Sequence, residues 1–95
     1  MHITVRSRRM TSGSVDELMR KLDGGFMPII SQAPGYVAYY VIDSGDGVVS
    51  AVSIFDDEAT AEASSRLAES WVRENLGAMV PGPADVISGE VMVPS

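Results

Sequence analysis

The spacing of apolar positions switches between a two-residue and a helical period along this chain, and each switch marks an element. Residues 2–8 alternate, with Ile3 and Val5 on one face and His2, Thr4 and Arg6 on the other, the pattern of a half-buried strand. Thr11-Ser12-Gly13-Ser14 reads as a loop, and Ser14-Val15-Asp16-Glu17 then matches a capping box at a helix start. Val15, Leu18, Met19, Leu22 and Phe26 follow at helical spacing. This predicts a helix to about Ser31, weakened at Gly24-Gly25 and kinked or broken at Pro28. Pro34-Gly35 ends it and turns the chain into a second strand over residues 36–43.

Asp43-Ser44-Gly45-Asp46-Gly47 is a turn between two apolar runs, so residues 36–43 and a third strand over 48–55 form a β-hairpin. Asp56 or Asp57 caps a second helix over 58–76, with Ala59, Ala63, Leu67 and Trp71 as its apolar stripe, Ala68, Val72 and Leu76 widening it, and Gly77 as C-cap. Pro81-Gly82-Pro83 is a rigid connector. The last strand spans residues 84–93, interrupted by Gly89 and stopped by Pro94. The order is βαββαβ, which predicts an α+β ferredoxin-like domain over residues 1–95. Its four-stranded antiparallel sheet has the first and third strands at the centre and two helices on one face.

Tyr36-Val37-Ala38-Tyr39-Tyr40-Val41-Ile42 does not fit a sheet with one wet face, because it is apolar on both. Strict alternation separates Val37, Tyr39 and Val41 from Tyr36, Ala38, Tyr40 and Ile42. On the third strand it separates Val49, Ala51, Ser53 and Phe55 from Val48, Ser50, Val52 and Ile54. On the last strand it separates Ile87, Val91 and Val93 from Val86, Ser88, Glu90 and Met92. Whichever sets meet the helices, large apolar side chains remain outside, each worth roughly 1.5–3 kcal/mol when buried. Monomers seldom leave a large apolar patch in water. A second copy of the same sheet about a two-fold axis covers it, so a sheet-to-sheet homodimer is expected.

Composition narrows the partners. The formal charge is −6 and there is no cysteine, which excludes disulfides and thiolate metal sites. An acidic domain repels phosphate backbones, so no nucleic-acid partner is expected. No apolar run approaches the roughly 20 residues that span a bilayer, and no signal-peptide core is present, so no membrane partner and a cytoplasmic location are expected. The basic residues gather early. Arg6, Arg8 and Arg9 offer a local anion site, although a solvated strand end explains them as well.

With those elements placed, the residues resemble a known family. Pro34-Gly35-Tyr36, the strand ending Ser53-Ile54-Phe55-Asp56-Asp57-Glu58-Ala59, then Glu69-Ser70-Trp71 and the closing Gly89-Glu90-Val91 are similar to the antibiotic-biosynthesis monooxygenase-like proteins of the dimeric α/β-barrel superfamily. The resemblance implies two ferredoxin-like subunits whose sheets close a barrel. It also implies a range of activities, from cofactor-independent oxygenases to haem-degrading enzymes, decarboxylases and isomerases. Many members carry a histidine in the second helix, used by the haem degraders as axial ligand; residues 58–76 have none, so haem drops out of what the resemblance implies.

Cofactor-independent oxygenases of that family use polar and aromatic side chains between sheet and helices. Tyr39, Tyr40, Trp71 and Asn75 are of suitable type for such a ligand pocket, although core or interface packing also explains the aromatics. His2, the only histidine, has the chemistry of a general base but sits near the chain end. Arg6 and Glu90 are expected on adjacent strands, where they would pair. Asp43/Asp46 and Asp56/Asp57 are better read as turn and cap residues than as calcium ligands. RNA-recognition aromatics, a Cys-x-x-Cys, a phosphate loop and a serine beside a histidine are all missing, and no cofactor or metal site is expected. The functional reading is a non-catalytic or small-ligand-binding dimeric module. The alternative is a cofactor-independent monooxygenase acting on a hydrophobic or aromatic small molecule.

Overall fold

Ser14 opens the first helix as its side chain predicts, accepting the Glu17 backbone N–H at 3.2 Å. The computed structural model describes residues 1–92. In chain order its elements are β1 (His2–Arg9), α1 (Val15–Lys21), a π-helical turn (Leu22–Phe26), α2 (Met27–Ile30), β2 (Tyr36–Gly45), β3 (Val48–Phe55), α3 (Glu58–Asn75) and β4 (Asp85–Glu90). The sheet order is β2-β3-β1-β4, with every neighbouring pair antiparallel. This is the expected ferredoxin-like arrangement, with β1 and β3 central. The predicted last strand is shorter than expected, and Val93 and Pro94 lie outside the described residues.

Leu18, Leu22, Phe26 and Ile30 are all buried and line one side of the first helical stretch. The expected break at Pro28 falls earlier, in the wide turn that holds Gly24 and Gly25. Pro28 then stands in the first turn of α2, directly after that wide turn. Gly25 allows a close approach that any side chain would block: Trp71 packs against it, and the Trp71 ring lies 5.4 Å from that of Phe26.

The apolar segment on β2 does not alternate strictly. Tyr36 pairs with Phe55 but Ala38 pairs with Ile54, so Val37 is an extra residue, a β-bulge. The bulge puts Tyr36 on the same face as Tyr39, where strict alternation had separated them. The hairpin closes through Asp46-Gly47, both at positive φ (55° and 77°), the two-residue turn that the sequence signals.

Asp57, rather than Asp56, caps α3: its Oδ1 accepts the Thr60 N–H at 2.8 Å. The buried stripe of α3 is rotated from the expected one. Ala61, Ser64 and Ala68 face the sheet, followed by Leu76 at the helix end, while Ala59, Ala63 and Leu67 are exposed. Ser64 tolerates burial because its hydroxyl donates to the Ala61 carbonyl at 2.7 Å. The helix ends at Asn75 with Leu76 as cap, and Gly77 is not among the residues of positive φ, so it is not the left-handed C-cap expected.

The two faces of the sheet are unlike each other, and not in the usual sense. In β1 the buried set is polar: His2, Thr4 and Arg6 lie beneath the helices, level with Phe55, Ser53 and Ala51 of β3. Ile3 and Val5 point the other way, beside Val52, Ile54 and Ile87. Tyr40 and Ile42 continue that outer face on β2. No described element covers it, and Tyr40, Ile42 and Ile87 are 59%, 50% and 75% exposed.

Candidate functional site

The inverted faces of β1 carry two arginines into the layer between sheet and helices. Arg6 and Arg8 lie one turn of the pleat apart, and their side chains are 9% and 14% exposed. Glu69 of α3 reaches both: its Oε1 is 3.2 Å from Arg8 Nη2 and 3.6 Å from Arg6 Nε. Arg8 also donates to the Gly82 carbonyl at 3.0 Å, tying the strand end to the connector before β4. Arg9, by contrast, is exposed and donates to the Asp46 carbonyl at 2.9 Å. The solvated strand end therefore describes Arg9 but not Arg6 or Arg8.

Arg6 does not pair with Glu90, as had been expected. β1 and β4 are adjacent, but the register sets Arg6 against Val86 and His2 against Glu90. Four residues of strand separate the two charges, so Arg6 takes its counter-ion from the helix instead. Burial pulls the Arg6 guanidinium below its ordinary range, and Glu69 draws it back.

Beside these groups lies a cavity of about 50 Å³. Its walls are apolar, with Leu22, Phe26 and Ile30 above and Val49 and Ala51 below, and Arg6, Arg8 and Tyr39 supply the polar atoms. Burial pushes the Tyr39 phenol up to about 12, against the pull of the Arg6 charge, so it is a hydrogen-bond donor at neutral pH. A wider groove of about 420 Å³ opens on the outer side of the same wall, between Met19, Met27 and β2. Leu22, Tyr39 and Val41 line both spaces and separate one from the other.

Of the four aromatic and amide residues singled out from the sequence, the structure brings Tyr39 alone to this cavity. Tyr40 lies on the opposite face of the sheet. Trp71 packs at the rim of the core against Phe26 and Gly25. Asn75 donates to the Trp71 carbonyl at 2.9 Å and is exposed. The sequence offered Arg6, Arg8 and Arg9 as a local anion site, with a solvated strand end as the other reading; the structure carries Arg6 and Arg8 into the layer and leaves Arg9 in solvent. Alternation puts Arg6 on one face with His2 and Thr4 but leaves open which face of β1 meets the helices. Among the described residues no three acidic or histidine side chains converge to hold a metal ion. No described helix is long and apolar enough to cross a membrane.

No family model and no curated protein matches the chain. Solved structures do. A protein of unknown function from Nitrosomonas europaea superposes with a TM-score of 0.80 at 17% identity, over 99% of this chain and 91% of that one. A monooxygenase from Streptomyces coelicolor, solved in complex with nanaomycin D, gives 0.70 at 23% identity over 99% and 92%. An uncharacterised NIPSNAP domain protein from Burkholderia xenovorans gives 0.62 at 22% over the whole of both chains. The fold is thus the one expected from the resemblance to the monooxygenase-like proteins, and it is shared by proteins with and without an assigned activity.

Proposed function

We propose that the chain is a homodimeric small-ligand-binding module whose sheet–helix layer takes a hydrophobic molecule bearing one acidic group. The observation that carries this reading is the pair of largely buried arginines, Arg6 and Arg8, sharing the single half-exposed carboxylate of Glu69 beside an apolar cavity. Two guanidinium charges against one carboxylate leave the layer one positive charge in excess. Buried charge is costly unless paired, so an anionic group entering there gains a partner already in place. The Tyr39 phenol adds a neutral donor.

At about 50 Å³ the cavity is smaller than the roughly 300 Å³ of an ordinary ligand pocket. Entry is by way of the groove beside Met19 and Met27. There Leu22 and Tyr39 are the partition, and methionine walls adapt to an irregular guest. The homodimer packs through the open face of Ile3, Val5, Tyr40, Ile42 and Ile87. It follows the arrangement implied by the family resemblance and is supported by the inverted faces of β1, which make the uncovered side the more apolar one.

Thermal-shift titration tests the ligand class. 2-Naphthoic acid should raise the melting temperature saturably, 2-naphthamide should not, and R6M should lose the response. No response to any hydrophobic acid, or an equal response in R6M, overturns the reading.

The alternative, a cofactor-independent monooxygenase acting on a hydrophobic or aromatic compound, draws on the fold shared with the nanaomycin D-bound enzyme. The titratable groups lining the cavity are two guanidiniums and a phenol pushed up to about 12, all donors and none a general base at neutral pH. Binding is therefore the better supported reading. Oxygen consumption in the presence of an electron-rich phenol distinguishes the two.

A further inference from the structure

The cavity beside Arg6 and the groove beside Met19 share three lining residues, Leu22, Tyr39 and Val41, so one layer of side chains divides them. We propose that the two spaces are head and tail compartments of one site for an unbranched aliphatic acid of about eight to ten carbons. On the footing of the anion site proposed above, its carboxylate meets Arg6 and its tail passes between Leu22 and Tyr39 into the groove.

Arg6 is the arginine with donors to spare. Arg8 spends its two terminal nitrogens on the Gly82 carbonyl at 3.0 Å and the Glu69 carboxylate at 3.2 Å. The nearest approach of Arg6 to Glu69 is through Nε at 3.6 Å, beyond hydrogen-bond length, and its side chain is 9% exposed. A guanidinium fork in that state can take a carboxylate on two parallel N–H bonds. The cavity of about 50 Å³ around it has no room for a long tail.

The space across the partition is larger and apolar. The groove measures about 420 Å³ and is walled by Met19 and Met27, whose unbranched thioether side chains adapt to a flexible guest. Arg20 and Asp23 on its lining are exposed and of opposite charge, so the mouth draws no second ionic group. Leu22 begins the π-helical turn and Phe26 ends it. Such turns recur at functional sites. A Cβ built on Gly24, inside the turn, meets nothing within 4 Å, which leaves room for the turn to move outward and part Leu22 from Tyr39.

The partition sets the length of the guest. Atoms touching opposite sides of one side-chain layer are about 7–8 Å apart, twice a carbon–carbon contact distance. An extended hydrocarbon advances about 1.3 Å per bond. Hexanoic acid held at Arg6 therefore ends at the partition, and decanoic acid reaches into the groove.

Calorimetry at pH 7.5 with hexanoic, octanoic and decanoic acids, each below its micelle concentration, reads the two compartments apart. Affinity should rise about threefold per methylene along the series. M19Q/M27Q keeps side-chain length but removes the apolar wall. It should weaken decanoic acid about tenfold and hexanoic acid by less than about twofold. R6M should abolish binding of all three, and octan-1-ol should bind about tenfold more weakly than octanoic acid. Equal affinity along the series, an M19Q/M27Q effect as large on hexanoic as on decanoic acid, or equally tight octan-1-ol overturns the proposal. So does loss of binding in R20M with retention in R6M, which would seat the acid at the mouth. Binding of 2-naphthoic acid beside a flat aliphatic series removes the tail compartment and leaves the anion site standing; no binding by any acid removes both.

Discussion

A Cβ built at Gly25 lies 2.6 Å from Cζ2 of Trp71, whereas one built at the adjacent Gly24 meets nothing within 4 Å. The two glycines share one turn of helix and have opposite duties. Gly25 is the space into which the indole packs; Gly24 is merely a weak helix former. G25A should destabilise the protein by about 1–3 kcal/mol through overpacking. G24A should stabilise it by about 0.5–1 kcal/mol, since alanine restricts the unfolded chain and favours the helix. Urea unfolding of the two variants reads both signs.

Glu69 is the only acid paired with Arg6 and Arg8 among the described residues. Removing it strands two largely buried charges, a more serious loss than removing one of them. E69Q should cost about 1–2 kcal/mol, below the full value for a buried pair because Glu69 is half exposed. R6M, which keeps the apolar stem and deletes the charge, should cost less than E69Q. An E69Q protein as stable as the wild type would show that solvent already neutralises the pair.

Tyr39 makes stability depend on alkaline pH. Its phenol titrates near 10 in the unfolded chain and is pushed up to about 12 in the fold by burial. The raised value means that its contribution is complete below about pH 10 and is lost as pH rises through 12, where the folded phenol also ionises. Wild type should therefore lose up to about 2 kcal/mol between pH 10 and 12 beyond what Y39F loses over the same range. Parallel slopes for the two proteins in urea melts at pH 9, 10 and 11 would remove the effect.

Light scattering coupled to size exclusion should give twice the 10.1 kDa of one chain. I42D and I87D, both on the uncovered face, should shift it toward the monomer mass or reduce solubility. L67D, at an exposed position of α3 on the other side of the molecule, should leave it unchanged. A concentration-independent mass near 10.1 kDa for the wild type sinks the dimer.

The order of elements, the Asp46-Gly47 hairpin and the Ser14 cap were legible in the sequence because each rests on a local rule obeyed by adjacent residues. The faces were not. Alternation in β1 separates Ile3 and Val5 from Thr4 and Arg6 but carries no sign saying which set goes inward. The partner that Arg6 and Arg8 meet on the inner side is Glu69, whose contact with Arg8 spans 61 positions of chain and is therefore invisible to a local pattern. The stripe on α3 was misplaced for a related reason. Alanine occurs around much of that helix, and a buried serine at position 64 looks polar until its hydroxyl is seen bonded to Ala61. The Val37 bulge left no mark at all, since a strand apolar on both faces hides a shift of phase. With it went the correct grouping of Tyr36 and Tyr39.

That extra residue sets a reading frame for the strand. Everything downstream of Val37 on β2 is assigned to its side of the sheet by a single inserted position. A deletion there, with the hairpin and Tyr39 held in place, would leave Tyr36 opposite Phe55 and keep their edge contact, 6.0 Å between ring centres, in a ladder made regular. A lineage could therefore lose that one codon and straighten the edge strand with every aromatic of β2 kept on its own face.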